Sequence, residues 1–311
     1  EEAGDIDTSP GNLLTEEELK VYIDGPPADD RTTTIQDSFV KLADAPQISS
    51  EADLITYRKS VTEFLKKRSF GAFPENPPSF DSSKVFRTLD RAKYGSDIYS
   101  FVSEKGWRLK VDIRWRNNPS EKKPLMIVLR NRDEKRWESE GFIGNLDNNW
   151  NIAYLEVRGI GEFGWDPNLQ WHVRRASAWT GRTLASMQVY DLIRCMEFCR
   201  TLAGVNPDSI GIAARDDMGV VALYSALLDG KCKSVILKNP PASQDVASSP
   251  EGRGAAVEIL NCLRVTDVYQ LPALLSPAEV TVIGEIPASY HWSDDMLKKL
   301  GRKPLNRIEN I

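Results

Sequence analysis

The residues best suited to chemistry lie in one run, Asp208-Ser209-Ile210-Gly211-Ile212-Ala213-Ala214-Arg215-Asp216-Asp217-Met218-Gly219-Val220-Val221-Ala222-Leu223-Tyr224. A short apolar segment stops at Arg-Asp-Asp, meets a glycine and resumes with apolar residues at helical spacing, which reads as strand, sharp turn and helix. Such a turn holds one side chain at the carboxyl end of a strand, in a strained corner that lifts a nucleophile into the open. Here the corner carries acids. A carboxylate can attack carbon and form an ester, but hydrolysing that ester requires water activated by a base. His172 and His291 are the imidazoles the chain offers for that step.

Composition bounds what can surround this turn. At 311 residues, with 41% hydrophobic and 27% charged residues, the chain affords an ordinary globular core. A net charge of −5 and no basic arm speak against nucleic acid as a partner. No run of 18 apolar residues suggests a membrane span, and a chain starting at Glu1 shows neither initiator Met nor signal peptide, as expected of a cut or excerpted sequence. Cys195 and Cys199 stand four apart on an expected helix and suit a packed face, while a Cys232–Cys262 bridge stays open. Neither histidine neighbours a cysteine, so no metal site is expected.

Residues 1–48 read as a linker that wraps a domain spanning 49–311, with one helical patch at Thr15–Tyr22. Ser50 and Asp53 form a capping box ahead of an amphipathic helix through Leu54, Tyr57, Val61, Phe64 and Leu65, which ends near Arg68. Ile98–Val102 and Trp107–Trp115 make an antiparallel hairpin over a Ser-Glu-Lys-Gly turn. Pro124–Leu129 and Asn151–Val157 are continuously apolar, as strands buried on both faces are. A helix over Arg182–Leu202 feeds the central strand, and Ser234–Leu237 and Glu279–Ile283 follow as further strands. The alternation predicts an α/β fold: a doubly wound, mostly parallel sheet with an antiparallel N-terminal hairpin and helices on both faces.

Arg158-Gly159-Ile160-Gly161-Glu162, Gly181-Arg182-Thr183-Leu184 leading to Val189-Tyr190-Asp191-Leu192-Ile193-Arg194, and the strand-elbow-helix run ending Met218–Tyr224 together resemble the α/β-hydrolase fold. The resemblance spans residues 97–300 and is strongest to bacterial acetyl xylan esterase-like enzymes related to prolyl oligopeptidase-type hydrolases. It implies ester hydrolysis on plant polysaccharides outside the cytoplasm, secreted or periplasmic, by a serine, an acid and a histidine after the last strand. This chain departs from that pattern at each point. Aligning the following helix places Asp216 where the serine would be, whereas counting back from Gly219 selects Asp217; Ala214 and Met218 replace the usual glycines. Glu285 is the local candidate for the acid, and His291 lies one strand too early.

Three functional readings follow. The catalytic constellation has decayed and the domain is a structural, carbohydrate-binding or partner-binding module. Alternatively Asp216 works with His291, oriented by Glu285, as the resembling haloalkane dehalogenases and epoxide hydrolases use an elbow Asp with a histidine. Or the chain is the carboxyl-terminal half of a larger secreted esterase and packs on its own upstream domain. His291, between Tyr290 and Trp292, suits sugar stacking or base catalysis, against a loop histidine satisfied by Asp294. His172 sits in an excursion with Trp165, Trp171, Trp179, Arg174 and Arg175 that packs on the surface or binds a carbohydrate or partner face. Gly159–Gly164 matches a dinucleotide fingerprint, but Asp166-Pro167-Asn168 follows in place of an apolar helix, so it reads as a tight turn and no cofactor is expected. Arg130–Arg136 stands where this fold supplies an oxyanion amide, and also has the composition of a solvated loop.

Overall fold

The computed structural model describes residues 11, 13–39, 41–90, 93–132, 134, 142–144, 146–246, 254 and 256–309. The chain divides into two units between Lys41 and Leu42. In the first, α1 (Glu16–Leu19) is a single turn closed by reciprocal capping, Thr15 N–H to Glu18 Oε2 at 2.8 Å and Glu18 N–H to Thr15 Oγ1 at 3.3 Å. The second unit takes in residues that read as linker from sequence: Ala43 N–H bonds the Leu263 carbonyl at 2.8 Å, and Ile48 is buried in the core.

The expected capping box starts α2 (Glu51–Phe64), with Ser50 N–H on Asp53 Oδ2 at 2.9 Å and Asp53 N–H on Ser50 Oγ at 3.2 Å. Leu54 and Val61, seven apart, then bury the same stripe. Among the described residues one sheet collects nine strands: β1 (Ser83–Asp90), β2 (Lys93–Glu104), β3 (Trp107–Arg114), β4 (Lys123–Leu129), β5 (Asn151–Leu155), β6 (Val205–Arg215), β7 (Ser234–Lys238), β8 (Glu279–Ile283) and β9 (Asn306–Ile308). Their spatial order is β1-β2-β3-β5-β4-β6-β7-β8-β9, antiparallel from β1 to β5 and parallel from β5 onward. This is the mostly parallel α/β sheet with an N-terminal antiparallel hairpin that the sequence predicts, flanked by helices. It also has β1, an edge strand absent from the sequence reading. Val85, Phe86 and Leu89 are exposed on it and its register shifts twice, so no alternating pattern marks it.

Along β4, Leu125, Ile127 and Leu129 enter the main core, while Met126 and Val128 enter a second cluster on the opposite face. The main core includes side chains of α2, α4 (Leu184–Arg200), α5 (Met218–Asp229), α6 (Leu271–Leu275) and α7 (His291–Lys299). Phe142, Ile143, Leu146 and Trp150 from the β4–β5 connection close the second cluster. The segment after Asp166 is a helix, α3 (Pro167–Trp179), where an excursion was expected: Asp166 accepts from Asn168 N–H at 2.8 Å and Pro167 takes the first turn, where its missing N–H costs nothing. All four cysteines are free and buried, so the Cys232–Cys262 bridge is not formed, and burial pushes those two thiols up to about 12 and about 11.

A buried ion pair ties the loop after β5 to α4. The Arg158 guanidinium donates to both Asp191 oxygens at 2.6 and 2.8 Å, and its backbone N–H adds a third bond at 3.1 Å. Ser103 Oγ donates to Asp191 at 2.7 Å, and Glu104 bridges Arg158 (3.3 Å) and Arg182 (2.7 Å). Burial pulls the Arg158 pKa down, but Asp191 and Glu104 outweigh it and the guanidinium sits above its usual value. Asp191→Ala would leave this guanidinium short of its main partner, and the expected cost is about 3–5 kcal/mol. A urea titration reads this as a lowered midpoint; a midpoint within error of the unmodified protein would contradict it.

Candidate functional site

β4 and β6 are neighbours whose carboxyl-end connections run in opposite directions, to β5 on one side and to β7 on the other. A crevice opens where such connections diverge. Asn131 follows β4 there and Asp216 follows β6. Asp216 has φ +52°, while Asp217, in the position before α5, has φ −61°, so the strained corner is Asp216 and not Asp217. Asp is among the residues that best tolerate positive φ. The corner is pinned at both ends, by Asp216 N–H on the Lys238 carbonyl at 2.9 Å and Gly219 N–H on the Asp216 carbonyl at 2.9 Å. It forms without the glycines usual at 214 and 218; Ala214 and Met218 are both buried.

Polar side chains close a ring around the Asp216 carboxylate. Asn131 Nδ2 donates to Asp216 Oδ2 at 3.0 Å and to the Arg215 carbonyl at 3.3 Å, and Arg215 Nη1 lies 3.8 Å from the same carboxylate. Arg215 Nε pairs in turn with Glu134 Oε1. Glu134 Oε2 accepts the Asn131 backbone N–H at 3.1 Å, and its side chain is only 1% exposed. The Asn131 amide belongs to the run Arg130–Arg136, where the resemblance implies a donor for a negative oxygen in acyl transfer. A carboxylate of the protein already occupies it. The run Arg130–Arg136 therefore departs from a solvated loop where it is described: Arg130 and Asn131 are buried and Arg132 is exposed, while Asp133, Lys135 and Arg136 lie outside the described residues.

Asp217 is half-buried beside Asp216. Burial foremost, and then the neighbouring Asp216 charge, raise its carboxyl pKa, against the backbone amides of Asp217 and Met218 and the charge of Arg132. Above the corner lies a cavity of about 530 Å³ bordered by the ends of β4 (Asn131, Arg132), β6 (Asp216, Asp217) and β7 (Asn239, Pro241), with Gln170 of α3 and Leu184 and Gln188 of α4. Its β7 wall is held from behind by Tyr224 O–H on Gln244 Oε1 at 2.6 Å and Gln244 Nε2 on the Val257 carbonyl at 2.7 Å. Gln170 Oε1 and Asn131 Oδ1 are sealed from solvent and have no hydrogen-bond partner among the described residues.

The other residues singled out from sequence stand elsewhere. His291 is exposed on the first turn of α7, Glu285 is exposed after β8, and His172 is exposed on α3 with its ring edge-on to Trp171 at 4.9 Å. None of the three is among the described residues bordering the cavity, and among the described residues no hydrogen bond joins either imidazole to Asp216. Asp294 is not a partner of His291: it accepts from Leu305 N–H at 2.8 Å and pairs with Lys298 and Arg307, both at 3.4 Å. Arg175 stacks on Trp171 at 4.4 Å, and Trp179 is exposed. The Gly159–Gly164 run is a tight turn containing one 3₁₀ segment; at Gly161, φ is +54° and a Cβ would lie 2.2 Å from the Glu156 carboxyl carbon.

Similar folds were found among solved structures. A candidate acetyl xylan esterase from Bacteroides fragilis aligns with a TM-score of 0.74 at 11% identity, over 93% of this chain and 83% of that one. A glucuronoyl esterase from Solibacter usitatus aligns at 0.60 and 11%, over 86% and 88%. Acetyl xylan esterase 1 from a Thermoanaerobacterium species aligns at 0.53 and 13%, over 83% and 87%. The fold is that of the α/β-hydrolases. No family model and no curated protein matches the sequence. At these identities the likeness fixes the α/β-hydrolase architecture, and activity must be argued from the site.

The raised Asp217 pKa has a sign that stability can read. An acid whose folded value lies above its ordinary 3.8 stabilises the fold fully below 3.8, and that contribution is lost as pH rises through the folded value. At pH 7 the ionised group is therefore a burden, and Asp217→Asn is expected to raise Tm there, with the gain shrinking as pH falls towards 3.8. Thermal scans across pH test this; a lower Tm for the variant at pH 7 would contradict it.

Proposed function

We propose that this chain is a carbohydrate-esterase-type α/β-hydrolase domain that binds a sugar-sized polyol over Asp216 and does not hydrolyse it. The observation that carries the reading is the ring around Asp216. To complete hydrolysis a nucleophilic carboxylate needs an activated water and an amide for the developing charge. Asp216 is engaged by Asn131 and faces Arg215, and Glu134 fills the amide after β4. What remains is a cavity of ligand size lined by carboxylates and amides above an apolar floor, which is how proteins hold polyhydroxylated ligands. The esterase folds it resembles support a carbohydrate as that ligand, free or on a polysaccharide, with a secreted or periplasmic setting as part of the same proposal. An upstream domain of the same polypeptide is the other partner consistent with this role.

Two measurements test it. With 4-nitrophenyl acetate and acetylated xylan, acetate or nitrophenol release should stay at the buffer rate, and Asp216→Ser should not raise it, because Glu134 still fills the amide and no imidazole is hydrogen-bonded to the corner. In a thermal-shift screen of mono- and oligosaccharides, at least one should raise Tm of the protein but not of Asp216→Ala. Turnover abolished by Asp216→Asn or by His291→Ala would instead establish a hydrolase built on Asp216 and His291 with Glu285 behind it. A screen without any shift would remove the binding role.

A further inference from the structure

The helices α2 and α4 to α7 put apolar side chains into the main core, α4 among them through Val189, Leu192, Cys195, Met196 and Phe198. α3 differs. Among the described residues none of its side chains belongs to either hydrophobic cluster, and Leu169 and Trp179 lie in solvent, the latter 92% exposed. Packing of an apolar face is what ordinarily holds a helix to a domain, so α3 is held by other means.

Those means are polar. Arg174 Nε and Nη2 donate to Glu258 Oε1 and Oε2 at 2.5 and 2.7 Å, and Nη1 donates to the Gly254 carbonyl at 3.1 Å. Glu258 is a fixed post. Val257 and Ile259 on either side of it are buried in the main core, and the Val257 carbonyl accepts from Gln244 Nε2. One turn before Arg174, Gln170 is 2% exposed, and its Oε1 is sealed from solvent with no hydrogen-bond partner among the described residues. That is a cost of the closed position, relieved when the side chain returns to water. A partly exposed ion pair set against a sealed amide oxygen makes a shallow hold.

The chain on both sides of α3 is anchored. Before it, Gly159 N–H on the Phe163 carbonyl at 3.0 Å closes the tight turn. After it, Gly181 has φ +75°, which glycine adopts without steric cost, and Arg182 is fixed by Glu104 and by the Ala72 carbonyl, both at 2.7 Å. Gln170 of α3 and Val257 beside the post border the same cavity over Asp216. The Arg174 and Glu258 side chains therefore tie one bordering element to another.

We infer that α3 is a hinged wall of this cavity, latched shut by Arg174 and Glu258, and that release of the latch governs entry. An ionic latch is weakened by salt and preserved when both charges are exchanged. The device is the same whatever the cavity binds.

Thiol modification behind the latch tests it. Leu184→Cys and, separately, Ile160→Cys place a reporter at positions that border the cavity and are 1% and 2% exposed. Modification by a methanethiosulfonate reagent is followed by peptide mass, with the native Cys195, buried in α4, reading global opening. Arg174→Ala and Glu258→Ala should each speed the reporter about fivefold or more while Cys195 keeps its rate. Arg174→Glu combined with Glu258→Arg should restore the slow rate. Raising NaCl from about 0.05 to about 1 M should speed the reporter about twofold or more with the latch intact and leave it unchanged in Arg174→Ala. The intact-latch salt arm decides the matter by itself should the latch variants fold poorly. Reporter rates indifferent to salt and to the single variants, rates that rise only in step with Cys195, or an exchanged pair as fast as the single variants would overturn the inference.

Discussion

Glu134, Arg215, Asn131 and Asp216 form a linked set across the ends of β4 and β6, and the character of the site depends on it. The sheet makes the crevice by sending these two strands' connections apart, as any doubly wound sheet does at its switch point. What occupies the crevice is then a matter of four side chains. Asn131 holds the strained corner from the next strand, Arg215 carries charge between the two acids, and Glu134 takes the backbone amide of Asn131. Each contact is ordinary alone. Together they hold the corner and the end of the neighbouring strand in one arrangement.

The same logic runs outward. Arg158 and Asp191 fasten the loop after β5 to α4, and Gln188 on that helix completes the join through the Arg158 carbonyl. Leu184 and Gln188 can therefore border the cavity in a set position relative to Ile160. On the other side, Tyr224 on the helix that begins at the corner reaches Gln244, so the corner and the β7 wall are held through one element. Burying an ion pair gains little net stability, but it fixes geometry wherever removal of one partner is costly. Fixed walls are what selective binding requires.

Much of the architecture was legible from local pattern. Ser50 and Asp53 announce their helix, the apolar runs at 124–129 and 151–157 announce buried strands, and the spacing around Asp216 announces strand, corner and helix, because each signal sits within a few residues of its consequence. The site was less legible for the converse reason. Glu134 lies in a charged run that reads as solvated, and its partner Arg215 is 81 residues further along; nothing local shows that the carboxylate is buried. Asp191 is likewise one polar residue on an apolar helix until Arg158, 33 residues earlier, folds against it. β1 hid because its apolar residues are exposed, and α3 because a proline and an Asx cap look like a loop until the helix after them is seen. His291 drew attention as an imidazole between aromatic residues, yet the chain places it on the outer turn of α7.

Glu134 and Arg215 are paired at the corner, and the proposed function depends on their acting as one unit. A double-mutant cycle measures it directly, with Glu134→Ala, Arg215→Ala and the pair compared by urea denaturation at neutral pH. A coupled pair is expected to show an interaction energy of about 0.5–3 kcal/mol, the double variant losing less than the sum of the singles. Losses that add to within about 0.3–0.5 kcal/mol would mean the two side chains do not depend on each other, which would contradict a linked set at the corner.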